Sequence, residues 1–68
     1  MQIVNEQTGV TYTTRTAKEL SGFVSIVTRR QNNTETVSSR EKHKTRADAY
    51  RYAVTMAKAL ARLNVVRG

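Results

Sequence analysis

TRADAYRYAVTMAKALARL, residues 45–63, decides the fold. Most of these residues are Ala, Leu, Met, Lys or Arg, the strong helix formers. The stretch opens on Thr45 with Asp48 three positions on, a capping-box spacing in which Asp stands for the commoner Glu. It predicts one helix from Arg46 to about Leu63. At about 100° per residue, Ala47, Tyr50, Val54, Ala57 and Ala61 share one side, widened by Ala53 and Leu60. A second apolar line runs through Tyr52, Met56, Ala59 and Leu63, and the polar arc left over is only Asp48, Arg51, Thr55, Lys58 and Arg62. A helix lying on one sheet needs an apolar stripe somewhat over about 100° wide, and this one is roughly twice that. The line Tyr52, Met56, Ala59 and Leu63 is therefore expected to meet a further surface: the Ile3-Val4 segment, a second copy of the chain, or another protein.

Upstream of the helix, turn chemistry cuts the chain into extended pieces. Ile3-Val4 leads into the polar loop Asn5 to Gly9, which closes a hairpin onto Val10 to Arg15. Val10 to Arg15 is rich in β-branched and aromatic residues that suit a pleated surface. Thr16 to Gly22 reads as a break, with one helical turn around Ala17 to Leu20. Phe23 to Arg30 is the strongest strand, Gln31-Asn32-Asn33 a turn, and Thr34 to Arg40 its hairpin partner. The expected fold class is α+β: an antiparallel sheet of three or four strands packed against one C-terminal helix, β-β-β-α. The 68 residues make a single small basic domain, 1–68. A chain this short buries only about 60% of the surface it exposes when unfolded. Without cysteine it has no disulfide, and one His cannot build a tetrahedral zinc site. No metal or other cofactor is expected, and pairing with a second copy is the remaining way to enlarge the core.

Charge narrows the function. Twelve Lys and Arg against five Asp and Glu give +7 and a pI near 10.6, above the level of about 9 at which a basic footprint points to nucleic acid. An acidic protein surface is the competing partner. No apolar run is long enough to span a membrane, and the N-terminus has no signal-peptide pattern, so the cytoplasm is the expected compartment. Enzyme motifs are missing: no phosphate loop, no cysteine nucleophile, no histidine pair. His43, between Lys42 and Lys44, reads as a surface histidine, and the chain is expected not to be an enzyme.

The candidate contact residues are basic. In Arg40-Glu41-Lys42-His43-Lys44-Thr45-Arg46 a cation stands at every second position. On an extended backbone Arg40, Lys42, Lys44 and Arg46 would share one side at roughly 7 Å per step, about the phosphate spacing along a nucleic-acid strand. If the helix covers the side bearing Val10, Tyr12, Val24, Ile26 and Val37, alternation puts Thr11, Thr13, Arg15, Phe23, Ser25, Val27, Arg29, Thr36, Ser38 and Arg40 on the other. Arginine can fork onto guanine or phosphate, and hydroxyls can donate to phosphate oxygens. Arg29 and Arg30 flank the hairpin tip, and an outward Phe23 would stack on an unpaired base.

Gly22-Phe23-Val24-Ser25, through Thr45-Arg46-Ala47-Asp48-Ala49 to Leu60, resembles the arm-type DNA-binding domain of phage tyrosine integrases and the plant Apetala-type DNA-binding domain. In both, a glycine-aromatic start opens a strand, a hairpin follows, and a Thr-x-x-Asp/Glu-Ala start opens a helix behind the sheet. The resemblance implies a sheet inserted into the major groove of duplex DNA. Unlike an integrase, this sequence has no catalytic domain after the helix, which implies a free-standing accessory or regulatory protein of a phage or mobile element. The DNA-contact set is Arg15, Arg29, Arg30, Arg40, Lys42, Lys44 and Arg46. A modulator or inhibitor of a host enzyme, docking through Tyr52, Met56, Ala59 and Leu63, is the alternative, and RNA binding is the third.

Overall fold

A computed structural model describes residues 1–63, and of Leu63 its backbone alone. The order is β1 (Gln2–Asn5), β2 (Val10–Glu19), β3 (Gly22–Gln31), β4 (Thr34–His43) and α1 (Arg46–Leu63). The strands form one antiparallel sheet in the order β1-β2-β3-β4. The α+β arrangement read from the sequence is the one observed, with the sheet at four strands.

Each turn has a local cause. Asn5 folds the first loop: its Oδ1 accepts from the backbone N of Gln7 (2.9 Å) and of Thr8 (3.3 Å), and Gly9 at φ 77° completes the reversal. The same side chain, 5% exposed, donates from Nδ2 to the Ala61 carbonyl at 3.0 Å, tying the loop to the last turn of α1. Asn32 and Asn33, at φ 52° and 66°, make the two-residue β3–β4 turn in the left-handed region that suits the twist of a hairpin. At the start of α1, Thr45 Oγ1 accepts from the Asp48 N–H at 3.1 Å, as the cap predicts. Asp48 Oδ1 accepts instead from Arg51 Nη2, at 3.1 Å.

The stretch Thr16 to Gly22 contains no helical turn. β2 runs on to Glu19, and Leu20-Ser21 alone link it to β3. This changes which residues face the helix. Glu19 pairs with Gly22, so every even β3 residue lies opposite an odd β2 residue, as in Arg15 with Ile26 and Thr14 with Val27. Phe23, Ser25, Val27 and Arg29 thus face α1, whereas Val24 and Ile26 face away, the reverse of the sequence expectation. Four of these β3 residues are apolar, Phe23 and Val27 on one face and Val24 and Ile26 on the other, so the pattern itself carried no phase.

The core lies between β2, β3 and the helix: Val10, Tyr12, Val27, Ala53 and Ala57 are each at most 1% exposed, with Ile3, Met56, Leu60 and Ala61 packed against them. Ala49, Ala53 and Ala57, all fully buried, form the line that lies on the sheet. Small side chains there bring the helix backbone close, which lets Tyr52 on one flank and Leu60 along the line reach strand residues. Among the described residues no helix is long and apolar enough to cross a membrane.

Candidate nucleic-acid interface

The face of the sheet away from α1 can be read in rows across the strands. One row is Val4, Thr11, Arg30 and Glu35, the next Gln2, Thr13, Thr28 and Val37, then Arg15, Ile26 and Arg40, then Ala17, Val24 and Lys42. Arg15 and Arg40 flank Ile26 from the two neighbouring strands, roughly 10 Å apart by backbone spacing, and Lys42 follows about 7 Å further along β4. Arg15, Arg30, Arg40 and Lys42 are all exposed. Thr13 and Thr28 lie between the Arg15–Arg40 row and Arg30, and Thr11 stands beside Arg30 in the row nearest the β3–β4 tip.

A β-bulge sets the sign of this face. Thr28 pairs with Val37 but Val27 pairs with Ser39, so Ser38 is the extra residue. An unbroken register would have placed Ser39 and Glu41 opposite Ile26 and Val24. The bulge puts Arg40 and Lys42 there and sends Glu41 to the helix side.

Two carboxylates sit among the cations. Arg40 Nη2 donates to Glu19 Oε2 at 2.6 Å, and this ion pair joins β4 to β2 across β3. Val24, the outer-face β3 residue between the partners of Arg40 and Glu19, is 1% exposed although no helix covers it. Lys42 Nζ donates to Ser21 Oγ at 3.1 Å. Glu35 lies opposite Arg30.

The rest of the expected contact set lies elsewhere. Arg29 is on the helix side, where its Nη2 donates to Gln31 Oε1 at 2.7 Å. Lys44 is in the bend after β4. Arg46 opens α1, with its guanidinium carbon 5.4 Å from the centroid of the Phe23 ring. The expected row of cations from Arg40 to Arg46 therefore ends at Lys42, because the strand ends at His43. Phe23 does not face outward, which removes the stacking residue on which the RNA reading drew.

The second apolar line of α1 is also divided. Tyr52 and Met56 are half-buried against the protein's own sheet side, Met56 on the core and Tyr52 with its ring centroid 5.0 Å from that of His43. Ala59 is exposed, and the side chain of Leu63 lies outside the described residues. Tyr52, Met56, Ala59 and Leu63 do not make one open stripe. The excess width has another cause: Tyr50 and Ala47, assigned to the covered side, are exposed, so the buried arc is rotated toward Tyr52 and Met56.

His43 is not a simple surface residue. Its Nε2 lies 3.0 Å from Ser25 Oγ, and Ser25 is fully buried. Ser25 Oγ also donates to the Glu41 carbonyl at 3.5 Å. The pair fastens the end of β4 to β3 on the helix side of the sheet. The sequence held no signal for it, because Ser25 was assigned to the wrong face.

Set against models of known families, curated proteins and solved structures, the chain matches none of them.

Proposed function

We propose that this protein binds duplex DNA with the helix-free face of its sheet, as a non-enzymatic accessory or regulatory factor of the phage or mobile-element kind. The observation that carries the reading is the row Arg15–Ile26–Arg40 with Lys42 beside it. Cations from two strands bracket the apolar Ile26 on a face that no other element of the described residues covers. The three strands β2, β3 and β4 span roughly 10 Å between outer backbones, within a major groove about 12 Å wide. A net charge of +7 favours a polyanion at long range. The resemblance to sheet-inserting DNA-binding domains supports the same orientation.

In this reading Arg15, Arg40 and Lys42 hold phosphates or groove edges, Arg30 contributes from the tip, and Arg29 takes no part. Lys44 and Arg46 lie past the end of β4, where they add long-range attraction. With about four phosphates neutralised, log Kd should change with log salt at a slope of magnitude about 3.6. Anisotropy titrations against random duplex, single-stranded DNA and RNA at about 50 and 200 mM salt test it, because nonspecific attachment is strongest at low salt. Duplex binding with a slope near that value supports the reading. No binding to duplex at about 50 mM rejects it.

A further inference from the structure

Where β2 turns into β3, the two turn residues are Leu20 and Ser21. Leu20 has none of its side chain covered, at 109% relative exposure, whereas Met1, Val4, Val37 and Tyr50 keep between 51% and 62%. Two-residue turns favour Gly, Asn or Asp, so leucine brings nothing to the turn itself. The tip is nonetheless braced. Lys42 Nζ donates to Ser21 Oγ at 3.1 Å, and Arg40 holds Glu19 at 2.6 Å. Gly22 approaches β4 so closely that a Cβ there would stand 2.6 Å from the His43 carbonyl oxygen. Leu20 lies on a shallow groove of about 840 Å³ whose other walls are Lys18, Glu19, Ser21 and Lys42, with the Glu19 carboxylate already held by Arg40.

We propose that Leu20 is a wedge that enters between neighbouring bases of a nucleic acid whose backbone is held by Lys18 and Lys42. The inference rests on the DNA reading and adds a contact the sheet face cannot make. Leucine is among the apolar side chains that DNA-binding proteins insert as wedges between base steps, and Lys18 and Lys42 beside this tip supply cations for the flanking backbone. A single apolar side chain is not enough to hold a lipid bilayer, since even a whole myristoyl chain gives only marginal membrane attachment. Bracing matters for the same reason: a tip already fixed before contact loses little conformational freedom on insertion.

The chain contains no tryptophan, so Leu20→Trp installs a single reporter at a position with no packing to disturb. With saturating random duplex, stacking between bases should cut its emission at least about twofold. In the unlabelled chain, Leu20→Ser should weaken duplex binding by roughly 3- to 10-fold, the order expected for losing part of one buried leucine. The salt slope should stay the same, because no charge is removed. Emission unchanged while a labelled duplex is bound overturns the wedge and leaves the sheet reading standing. A blue shift with phosphatidylserine vesicles but no response to duplex overturns it in favour of a lipid surface. No duplex binding by the unmodified chain at about 50 mM salt overturns both.

Discussion

Glu19→Gln should move stability and DNA binding in opposite directions. Glu19 keeps 33% of its side chain exposed and its partner Arg40 keeps 56%. An ion pair so open to water contributes about 0–1 kcal/mol. At about 4–8 °C per kcal/mol for a domain of this size, the melting temperature should fall by no more than about 8 °C. Binding should improve. A phosphate oxygen sharing the Arg40 guanidinium would stand about 5 Å from the Glu19 carboxylate, given hydrogen bonds of about 2.8 Å on each side. Repulsion at that distance is about 0.8 kcal/mol in water and about 3 kcal/mol at an effective dielectric of about 20. The exposed setting selects the lower end, about 1 kcal/mol, or roughly fivefold in Kd at low salt. Anisotropy with a labelled random duplex, beside a thermal melt by circular dichroism, reads both quantities. Unchanged or weaker binding by a folded Glu19→Gln variant would refute the claim that phosphate sits at Arg40.

The two left-handed glycines should respond differently to alanine. Gly9, at φ 77° with nothing within 4 Å of an added Cβ, should lose only about 1–2 kcal/mol of stability for the backbone conformation. Gly22, at φ 150° with the His43 carbonyl 2.6 Å from such a Cβ, should lose at least about 3 kcal/mol by adding a steric clash to backbone strain. Equal urea midpoints for the two variants would show that the close approach of Gly22 to β4 is not sustained in solution. Asn5→Ala removes three hydrogen bonds, including that to Ala61. At about 0.5–1.5 kcal/mol each, it should cost about 2–3 kcal/mol, read in the same denaturation. Thr45→Ala should cost about 1 kcal/mol through loss of the helix cap, and an unchanged melt would remove that role.

The helix was legible because everything that makes it is local: Ala-rich composition, the Thr45 cap and apolar residues at helical spacing. The strands were legible as segments for a similar reason, since β-branched runs alternate with Asn and Gly. Their facing was not. In Phe23-Val24-Ser25-Ile26-Val27 apolar side chains point both ways, so orientation depends on the length of the preceding turn. Thr16 to Gly22 contains a helix-compatible Ala17 to Leu20, and only pairing with β3 makes it strand. Ser38 bulges without any residue-level signature, yet its extra position exchanges Glu41 for Lys42 on the outer face. The candidate site inherits this: Arg15 and Arg40 were placed correctly, whereas Arg29 fell on the helix side with the rest of the odd β3 residues.

That difference between arginines of one sheet supplies the decisive measurement: the salt dependence of duplex binding for Arg15→Ala, Lys42→Ala and Arg29→Ala beside the unmodified chain. If the helix-free face meets the phosphates, Arg15→Ala and Lys42→Ala each reduce the magnitude of the log-log slope by about 0.9, while Arg29→Ala leaves it unchanged. A slope that falls for Arg29→Ala and holds for the other two would place the DNA on the opposite side of the sheet.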